Sequence, residues 1–318
     1  MFASLLIAAI GCGLVAAVAV SGRMGRRVSE HFDQKKQPDP KKDVEGTAVW
    51  GKVIESYEAD DASPGVGKIE VIDSGDGGMG TCFVMNGRLQ LCEVDEHVYH
   101  EMLVHFACAF LPKDLPRRAL VLRGGDCLAL RELLKHKALE HVTVAEDHGR
   151  MLEACEKHLQ AVDGSRRGDK RVRWAFGSMQ DAVKRMTDDQ LHNIDLVVLD
   201  LKDRPGASPI TPQLCKDLRL LMQSEGVLAC SGTPSDRINL RAAFPHHLAY
   251  SFFSETHDEQ RQLELFSEVD LAARRPSDRK TPAPDDAVNS DRQEETAVAT
   301  RFFDTKKLWS YVPWFAKV

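Results

Sequence analysis

Carboxylate side chains follow two apolar runs of this sequence, at positions where a strand would end. Asp200 closes IDLVVLD (194–200), with Asp203 three residues further on, and Glu146 closes HVTVAE (141–146). Two carboxylates at a strand end can receive a cationic amine, and one of them can remove its proton. A carboxylate such as Glu146 can accept hydrogen bonds from both hydroxyls of a ribose. The spacing of Asp200 and Asp203 equally suits a helix N-cap or a loop turn, so both interpretations stay open.

A glycine turn follows an earlier apolar run. The segment ALVLR (119–123) leads into Arg123-Gly124-Gly125-Asp126-Cys127, and a helical pattern begins directly afterwards. Glycines at such a turn let the backbone approach a nucleoside closely, because they carry no side chain. Many strand-to-helix turns use glycine, so this turn by itself is weak support for a nucleoside site.

The elements that must position these residues alternate between strand and helix patterns. The predicted buried strands are 119–123, 141–146, 171–176, 194–200 and 226–232, with helical stretches such as LALRELLKH and GRMLEACEKHL between them. Such alternation predicts an α/β fold with a doubly wound parallel sheet, which binds ligands at the carboxyl ends of its strands. Residues 48–95 instead predict a small β domain, with a tight hairpin at Asn86-Gly87.

The chain as a whole has 318 residues, and its composition divides it into segments. We predict a transmembrane anchor (1–22), a polar linker (23–47), the β domain (48–95), the doubly wound domain (96–270), a disordered linker (271–300) and an aromatic docking tail (301–318).

The predicted anchor is residues 2–20, which contain no charge and no proline. As a helix they would be about 28 Å long, close to the thickness of a bilayer core. The alternative is a cleaved signal peptide, since Ala17-Val18-Ala19 resembles a cleavage site, but a basic n-region is missing. Basic residues from Arg23 onward predict that the globular part faces the cytosol or the mitochondrial matrix.

The last segment concentrates six aromatic residues between 302 and 315. An aromatic cluster beyond a flexible linker must bury itself. It can pack on its own domain, lie at the membrane interface beside neighbouring lysines, or insert into a protein partner of a membrane complex.

Charge and cysteine use exclude several classes of protein. The net charge is 42 − 48 = −6, with basic residues dispersed among acids, which argues against nucleic acid as a partner. The eight cysteines form no CxxC pair and lie mostly in apolar runs, as core residues in a reducing compartment would. We predict no metal site, because the adjacent His246 and His247 would point to opposite faces of a strand.

Three ordered segments together resemble the spermidine synthase, or polyamine aminopropyltransferase, family. They are VMNGRLQLCEVDEHVYHEMLVHFA (84–107), ALVLRGGDCLALRELLKHKALEHVTVAED (119–147) and IDLVVLDLKDRPG (194–206). The resemblance covers about 49–255. It implies a β domain followed by the Rossmann-like fold of S-adenosylmethionine-dependent methyltransferases. It also implies that no cofactor is required, with decarboxylated S-adenosylmethionine as the substrate that gives its aminopropyl group to a diamine.

The resemblance also implies roles for individual residues. Asp200 would be the catalytic base and Asp203 would bind the diamine. Asp95 would lie near the amine groups, with Tyr99, His100 and Glu101 beside the pocket. The remaining matches would bind the nucleoside, and they are Gly124, Gly125, Asp126 and Glu146.

Several positions depart from the family pattern. Family members usually have glycine where this chain has Arg123 and Cys127, and a hydrophobic residue then Asp where it has Asp147 and His148. Ser178 replaces an Asp that meets adenine. Val66 lies where the family has its Ser-Pro-Tyr-Gln segment, and residues 254–259 replace a Pro-Thr-Tyr-Pro-Ser-Gly loop. If five such changes each cost about 1–1.5 kcal/mol independently, ligand binding would weaken by roughly four to five decades.

These departures favour one hypothesis over two others. The favoured hypothesis is a membrane-anchored, spermidine-synthase-like pseudoenzyme that serves as an accessory or scaffold subunit of a membrane complex, with the mitochondrial inner membrane as one candidate location. The alternatives are an active aminopropyltransferase, which the retained aspartates favour, and a methyltransferase that uses the same nucleoside pocket.

Overall fold

The computed structural model describes the central part of the chain. The described residues are 51–58, 68–75, 78–112, 114–147, 149–159, 168–189, 191–201, 210–254, 256–257 and 259–274. The predicted anchor, the aromatic tail, Val66, His148 and Asp203 lie outside these ranges. Within the ranges, no helix is both long and apolar enough to cross a membrane.

The first unit is a four-stranded antiparallel sheet in the order β1-β2-β3-β4. Its strands are β1 (Lys52–Tyr57), β2 (Ile69–Asp73), β3 (Thr81–Met85) and β4 (Arg88–Cys92). Between β3 and β4, Asn86 and Gly87 have φ angles of 50° and 75°. A two-residue type I′ turn requires two positive angles of this kind, so the hairpin predicted from the sequence is confirmed.

Two cysteines of this sheet differ from the expectation of separate core thiols. Cys82 and Cys92 are direct partners in the β3–β4 ladder, with their Cα atoms 4.1 Å apart, and they form a disulfide bond. The pairing depends on strand register and cannot be read from cysteine spacing. The other described cysteines are buried, and they are Cys108, Cys127, Cys155, Cys215 and Cys230.

The second unit alternates helices and strands along the chain. The helices are α1 (Glu96–Ala109), α2 (Leu128–Leu134), α3 (Gly149–His158), α4 (Met179–Asp188), α5 (Pro212–Leu221) and α6 (Pro234–Ala243). The strands are β5 (Arg118–Leu122), β6 (His141–Glu146), β7 (Val172–Phe176), β8 (Ile194–Leu199), β9 (Met222–Cys230), β10 (His246–Ser254) and β11 (Glu259–Ser267). This is the doubly wound α/β architecture that the alternating patterns predict.

The strand order of this sheet is β10-β11-β9-β8-β5-β6-β7. The strands from β9 to β7 pair in parallel, and β11 pairs antiparallel with both of its neighbours. From β5 the chain proceeds to β6 and β7 on one side, then returns to β8 and β9 on the other. The order therefore reverses between β5 and β8, and the carboxyl ends of these two strands are where such sheets bind ligands.

Side chains of the central strands alternate between two hydrophobic cores. Ala119 and Val121 of β5 pack with residues of α1 and α2, whereas Leu120 and Leu122 pack with residues of α4 and α5 on the opposite face. All six residues of β8 are buried. Burial on both faces explains why IDLVVL is a nearly continuous apolar run rather than an alternating one.

The strand ends are fixed by hydrogen bonds across the sheet. The backbone N–H of Arg123 donates to the carbonyl of Ala145 at 2.8 Å, and that of Asp200 donates to the carbonyl of Leu122 at 3.1 Å. The four-stranded sheet packs against this region of the second unit. Phe83 of β3 and Cys127, at the end of the glycine turn, belong to the same hydrophobic cluster. The glycine turn after β5 is thus held between the two units.

Candidate active site

Three polar side chains converge at the carboxyl ends of β5 and β8. His100 Nε2 lies 3.5 Å from Asp126 Oδ2 and 3.7 Å from Asp200 Oδ2. All three side chains are shielded from solvent, and one ligand atom from each lies within 4.8 Å of the other two. We call these three residues the acid–imidazole cluster. All three are predicted site residues, but the sequence predicts that Asp126 binds the nucleoside rather than the amine.

Both aspartates of the cluster are oriented through their other oxygen. Asp126 Oδ1 accepts a hydrogen bond from the N–H of Leu128 at 3.0 Å, at the start of α2. Asp200 Oδ1 accepts one from the Tyr99 hydroxyl at 2.6 Å. In each case Oδ2 is the oxygen nearest to His100. A neighbouring backbone N–H therefore sets the direction of the Asp126 carboxylate, whereas a side chain 101 residues away sets that of Asp200.

The His100 imidazole is positioned from the opposite side by Glu96, one helical turn earlier. Nδ1 lies 2.7 Å from the Glu96 carbonyl oxygen and 3.1 Å from its Oε2. Because a carbonyl oxygen only accepts, Nδ1 carries the proton. Nε2 then faces the two aspartates, and it makes no hydrogen bond in the described structure.

Glu96 stays ionised although it is buried. Burial raises the pKa of this carboxyl, but the Arg131 charge and the hydrogen bonds from His100 and Arg131 lower it to about 2. The Arg131 guanidinium donates to both Glu96 oxygens, at 2.5 and 2.9 Å. The His100 imidazole is thus in contact with a charged carboxylate that Arg131 holds in place.

Tyr99 is the neutral donor at the edge of the cluster. Burial and the neighbouring Asp200 carboxylate hold its pKa well above the ordinary value, so the phenol keeps its proton. Its ring meets His100 edge-on, with centroids 4.7 Å apart, and the Arg261 guanidinium lies 5.7 Å from its centroid. These contacts hold the hydroxyl against Asp200.

The cluster as a whole is suited to bind positive charge. Two carboxylate oxygens, together with the Nε2 of a neutral imidazole, would offer three acceptors, which match the three N–H donors of a primary ammonium group. The same atom types are also ligands of divalent cations. In surroundings shielded from water, either cation would be held far more strongly than at the surface.

The glycine turn brings the backbone up to Glu146 at the end of β6. A Cβ atom added to Gly125 would lie 2.5 Å from Glu146 Oε2, and one added to Gly124 would lie 2.5 Å from Val121 Cγ1. A side chain at Gly124 would press on Val121, and one at Gly125 would push the Glu146 carboxylate aside. The backbone of the turn therefore passes close to both side chains, and its approach to a nucleoside stays a prediction.

The two residues that flank these glycines adopt angles that favour glycine. Arg123 has φ of 65° and Cys127 has φ of 61°. A left-handed conformation costs a residue with a side chain roughly 1–2 kcal/mol. The chain thus has the backbone shape of a glycine turn at two positions that hold arginine and cysteine.

Arg123 pairs with another of the departures from the family. Its Nη2 donates to Asp147 Oδ2 at 3.0 Å, and both residues follow the ends of adjacent parallel strands. The two substitutions therefore compensate each other in charge. Their energetic costs do not add independently, which removes the assumption behind the estimated loss of four to five decades.

Two further residues singled out from the sequence make hydrogen bonds within the fold. Ser178 is the N-cap of α4, where its Oγ accepts from the N–H of Asp181 at 3.1 Å. Asp95 accepts from Ser254 Oγ at 3.0 Å and from the N–H of Thr256 at 3.1 Å. Asp95 is thus tied to the segment that replaces the family's distal loop.

The sequence did not predict a network of buried charged side chains that adjoins the acid–imidazole cluster through Glu96. Arg131 also contacts Glu132, whose Oε2 lies 2.8 Å from His105 Nε2. Glu101 lies beside this network, and burial together with the Glu132 charge raises its pKa to about 8. Charged residues within the apolar helical stretches 101–107 and 128–134 are the sequence feature that could have indicated this network.

Comparisons with known proteins place the chain's similarity in one family. Residues 96–232 match the family model described as the spermine/spermidine synthase domain. The chain is 25% identical over 239 residues to the polyamine aminopropyltransferase of Clostridium acetobutylicum, covering 71% of this chain and 78% of that protein. It is 31% identical over 159 residues to polyamine aminopropyltransferase 1 of Hyperthermus butylicus, of which it spans about half, with coverages of 48% and 52%.

Solved structures match the fold over most of the chain. Spermidine synthase from Thermotoga maritima aligns with a TM-score of 0.61 and 25% identity, covering 78% of this chain and 83% of that one. A spermidine synthase in complex with the transition-state analogue AdoDATO aligns with a TM-score of 0.62 and 21% identity, covering 83% and 87%. The family resemblance and the Rossmann-like, methyltransferase-type sheet are therefore both confirmed.

Proposed function

We propose that this chain, whose residues 96–232 are a spermine/spermidine synthase domain, alkylates an amine by the aminopropyltransferase reaction. The donor is an S-adenosyl sulfonium compound, and methylthioadenosine is released. Spermidine synthases use decarboxylated S-adenosylmethionine without a required cofactor. The observation that carries the proposal is the convergence of His100, Asp126 and Asp200 on one buried point.

The chemical obstacle in this reaction is the acceptor amine. An alkylammonium group has a pKa near 10 and carries no lone pair until it loses a proton. The acid–imidazole cluster would hold the ammonium, and Asp200 would take its proton. The neutral nitrogen then attacks the methylene beside the sulfonium, forming a C–N bond. The C–S bond breaks, and its electron pair stays on sulfur in the leaving methylthioadenosine.

The hydrogen bond from Tyr99 gives Asp200 a fixed direction for this step. It occupies Oδ1 and leaves Oδ2 directed toward His100, where the amine would lie. Holding the nitrogen in line with the reacting carbon supplies much of the rate, because an intermolecular step becomes effectively intramolecular. Glu146, next to the glycine turn, would bind the ribose of the donor and so place that carbon.

The test is release of methylthioadenosine by the full chain, with S-adenosylmethionine or its decarboxylated form as donor and a series of diamines as acceptors. We expect amine-dependent release that Asp200→Asn reduces by about 10²–10⁴-fold. Asp217→Asn is the matched control, because Asp217 lies on α5 and hydrogen-bonds to Gln213. Absence of methylthioadenosine release with either donor would refute the proposal.

Arg123 favours a second candidate, an accessory module without catalysis. Its buried side chain lies beside the nucleoside position, where the family has glycine. In that case the full chain would bind neither methylthioadenosine nor a sulfonium donor. Release of S-adenosylhomocysteine instead of methylthioadenosine would identify the third candidate, a methyltransferase.

The membrane tether through residues 2–20 and partner binding through residues 301–318 stay predictions, as does a location on the cytosolic or matrix side. Both segments lie outside the described residues. Membrane fractionation of the full chain and of a variant lacking residues 1–22 would test the tether.

A further inference from the structure

We infer that Arg123 binds a carboxylate of the nucleoside donor, so that the donor of this chain is S-adenosylmethionine rather than its decarboxylated form. The inference rests on the proposed function and adds the chemical class of the donor. It is carried by the burial, the hydrogen bonds, the backbone angle and the position of Arg123.

The Arg123 guanidinium is buried with part of its donor capacity unused. The residue is 5% exposed. Nη2 donates to Asp147 Oδ2, whereas Nε and Nη1 are shielded from solvent and make no hydrogen bond in the described structure. Buried polar groups in native proteins are nearly always paired, and a guanidinium without full pairing calls for an anionic partner.

The backbone at Arg123 adds a second unfavourable feature. With φ of 65°, the position favours glycine, and the arginine side chain is kept there in spite of the strain. Strained backbone together with unsatisfied buried donors is characteristic of binding sites, where a ligand supplies the missing interactions. Neither the left-handed backbone angle nor the buried donors that lack a partner in the described structure stabilise the folded state.

The position of Arg123 identifies which ligand would supply the anion. Arg123 opens the glycine turn after β5, and its partner Asp147 follows Glu146 at the end of β6. Gly125 lies against the Glu146 carboxylate, the predicted ribose ligand. The guanidinium pairs with the residue next to the predicted ribose ligand, so a carboxylate bound by Arg123 would belong to the donor and not to the amine.

Charge discriminates between the two possible donors. Decarboxylated S-adenosylmethionine carries a sulfonium and an ammonium, both positive, which a guanidinium with free donors would repel. S-adenosylmethionine carries the same two groups and a carboxylate, which arginine can bind through two parallel hydrogen bonds. Since Arg123 is buried, the repulsion and the attraction are both weakly screened.

The chemistry of group transfer stays balanced with this donor. The amine nitrogen forms a bond to the methylene next to sulfur, and the C–S bond breaks with its electron pair going to methylthioadenosine. The amine proton passes to Asp200. The group transferred is 3-amino-3-carboxypropyl, so the product amine gains a carboxylate that an aminopropyl product lacks.

The experiment is calorimetric titration of the full chain with methylthioadenosine, S-adenosylmethionine and decarboxylated S-adenosylmethionine. We expect S-adenosylmethionine to bind at least tenfold more tightly than the decarboxylated form. In Arg123→Gly the preference should disappear, while the affinity for methylthioadenosine changes less than threefold. Glycine suits φ of 65°, so this variant is expected to fold, and a thermal melt of each variant verifies it.

Two further variants separate charge from shape. Arg123→Lys keeps the charge but not the paired donors, and it should retain part of the preference. Arg219→Ala removes a half-exposed arginine of α5 that pairs with Glu268, and it should leave all three affinities unchanged.

The outcomes distinguish this inference from the proposed function. Binding of methylthioadenosine with equal or tighter binding of the decarboxylated donor would overturn the inference and leave the proposed function standing. An unchanged preference in Arg123→Gly would also overturn it. Failure of the wild-type chain to bind methylthioadenosine would overturn both.

Discussion

The two halves of the candidate site differ in how completely their side chains are supported. On the proposed amine side, Asp126 and Asp200 each accept a hydrogen bond from a residue outside the cluster, and His100 donates one to the Glu96 carbonyl. On the proposed nucleoside side, Arg123 and Cys127 have left-handed backbone angles, and two Arg123 donor atoms have no partner among the described residues. Side chains fixed by such hydrogen bonds are preorganised, whereas buried donors without a partner can bind a ligand. This contrast is why we propose family-type chemistry for the amine side and an altered specificity for the nucleoside side.

The backbone of the turn is common to both halves. A Cβ atom added to Gly124 or Gly125 would lie 2.5 Å from Val121 or Glu146, so the backbone passes close to both side chains there. Arg123 and Cys127 on either side have left-handed angles, at an energetic cost. The turn therefore has a shape that favours glycine at two positions that hold other residues.

The largest expected effect is on the amine side. Asp126→Asn removes a charge from the acid–imidazole cluster but keeps an acceptor for the N–H of Leu128. We expect methylthioadenosine release to fall by about 10²–10³-fold. The affinity for methylthioadenosine, measured by calorimetry, should stay the same. A parallel loss of both would mean that Asp126 belongs to the nucleoside side.

The support behind the cluster should affect folding stability more than binding. Glu96→Gln leaves the buried Arg131 with Glu132 as its remaining carboxylate partner, and we expect a loss of about 3 kcal/mol in the free energy of unfolding. The folded pKa of Glu96 is about 2, below its unfolded value, so its stabilisation is present above about pH 4.3 and disappears as the pH falls toward 2.

Urea unfolding of wild type and Glu96→Gln at pH 7, 5 and 3 measures this effect. The difference between the two proteins should be large at pH 7 and 5 and smaller at pH 3. A difference that stays constant with pH would show that shape rather than charge is responsible.

Binding on the nucleoside side should be sensitive to the approach of Gly125 to Glu146. In Gly125→Ala the new Cβ would displace the Glu146 carboxylate, and we expect methylthioadenosine affinity to fall by about 1.5–3 kcal/mol, or roughly 10- to 100-fold. Gly149→Ala is the matched control, because nothing lies within 4 Å of an added Cβ there. Equal affinities in the two variants would contradict the placement of the ribose.

Glu101 should give a smaller effect of opposite sign to that of Glu96. Its folded pKa is raised to about 8, so the folded state keeps a proton that the unfolded state loses near pH 4.3. Stability therefore falls as the pH rises from about 4.3 to 8. Glu101→Gln removes this penalty, and we expect a gain of about 1–2 kcal/mol at pH 8. Melting temperatures at pH 5 and pH 8 test it, and a gain that is larger at pH 5 would contradict the assignment.

The smallest expected effect is on the stability of the ligand-free protein when Arg123 is replaced by glycine. Arg123→Gly relieves the left-handed strain and removes unsatisfied buried donors, but it also removes the ion pair with Asp147. We expect a net gain of about 1 kcal/mol, seen as a rise of about 2–4 °C in melting temperature. A fall in melting temperature would show that Arg123 stabilises the fold, and the contrast between the two halves would then be lost.

The sequence by itself determined the elements and most of the residues at their ends. Apolar runs predicted the parallel strands, Asn86-Gly87 predicted the hairpin, and the acids at strand ends predicted where the site lies. These features are local, because strand periodicity and turn chemistry depend on neighbours within a few residues. The family motifs added Tyr99 and His100 to the same site.

The tertiary structure decided which of these residues act together. Tyr99 and Asp200 are 101 residues apart, and they meet because β8 returns to pair with β5. The same sheet order brings Asp126 to His100 and joins Arg123 to Asp147, neither of which any spacing in the chain predicts. Side-chain direction at a strand end depends on the neighbouring strands and helices. For that reason the sequence could identify candidate residues, and only the folded sheet could show which of them lie together.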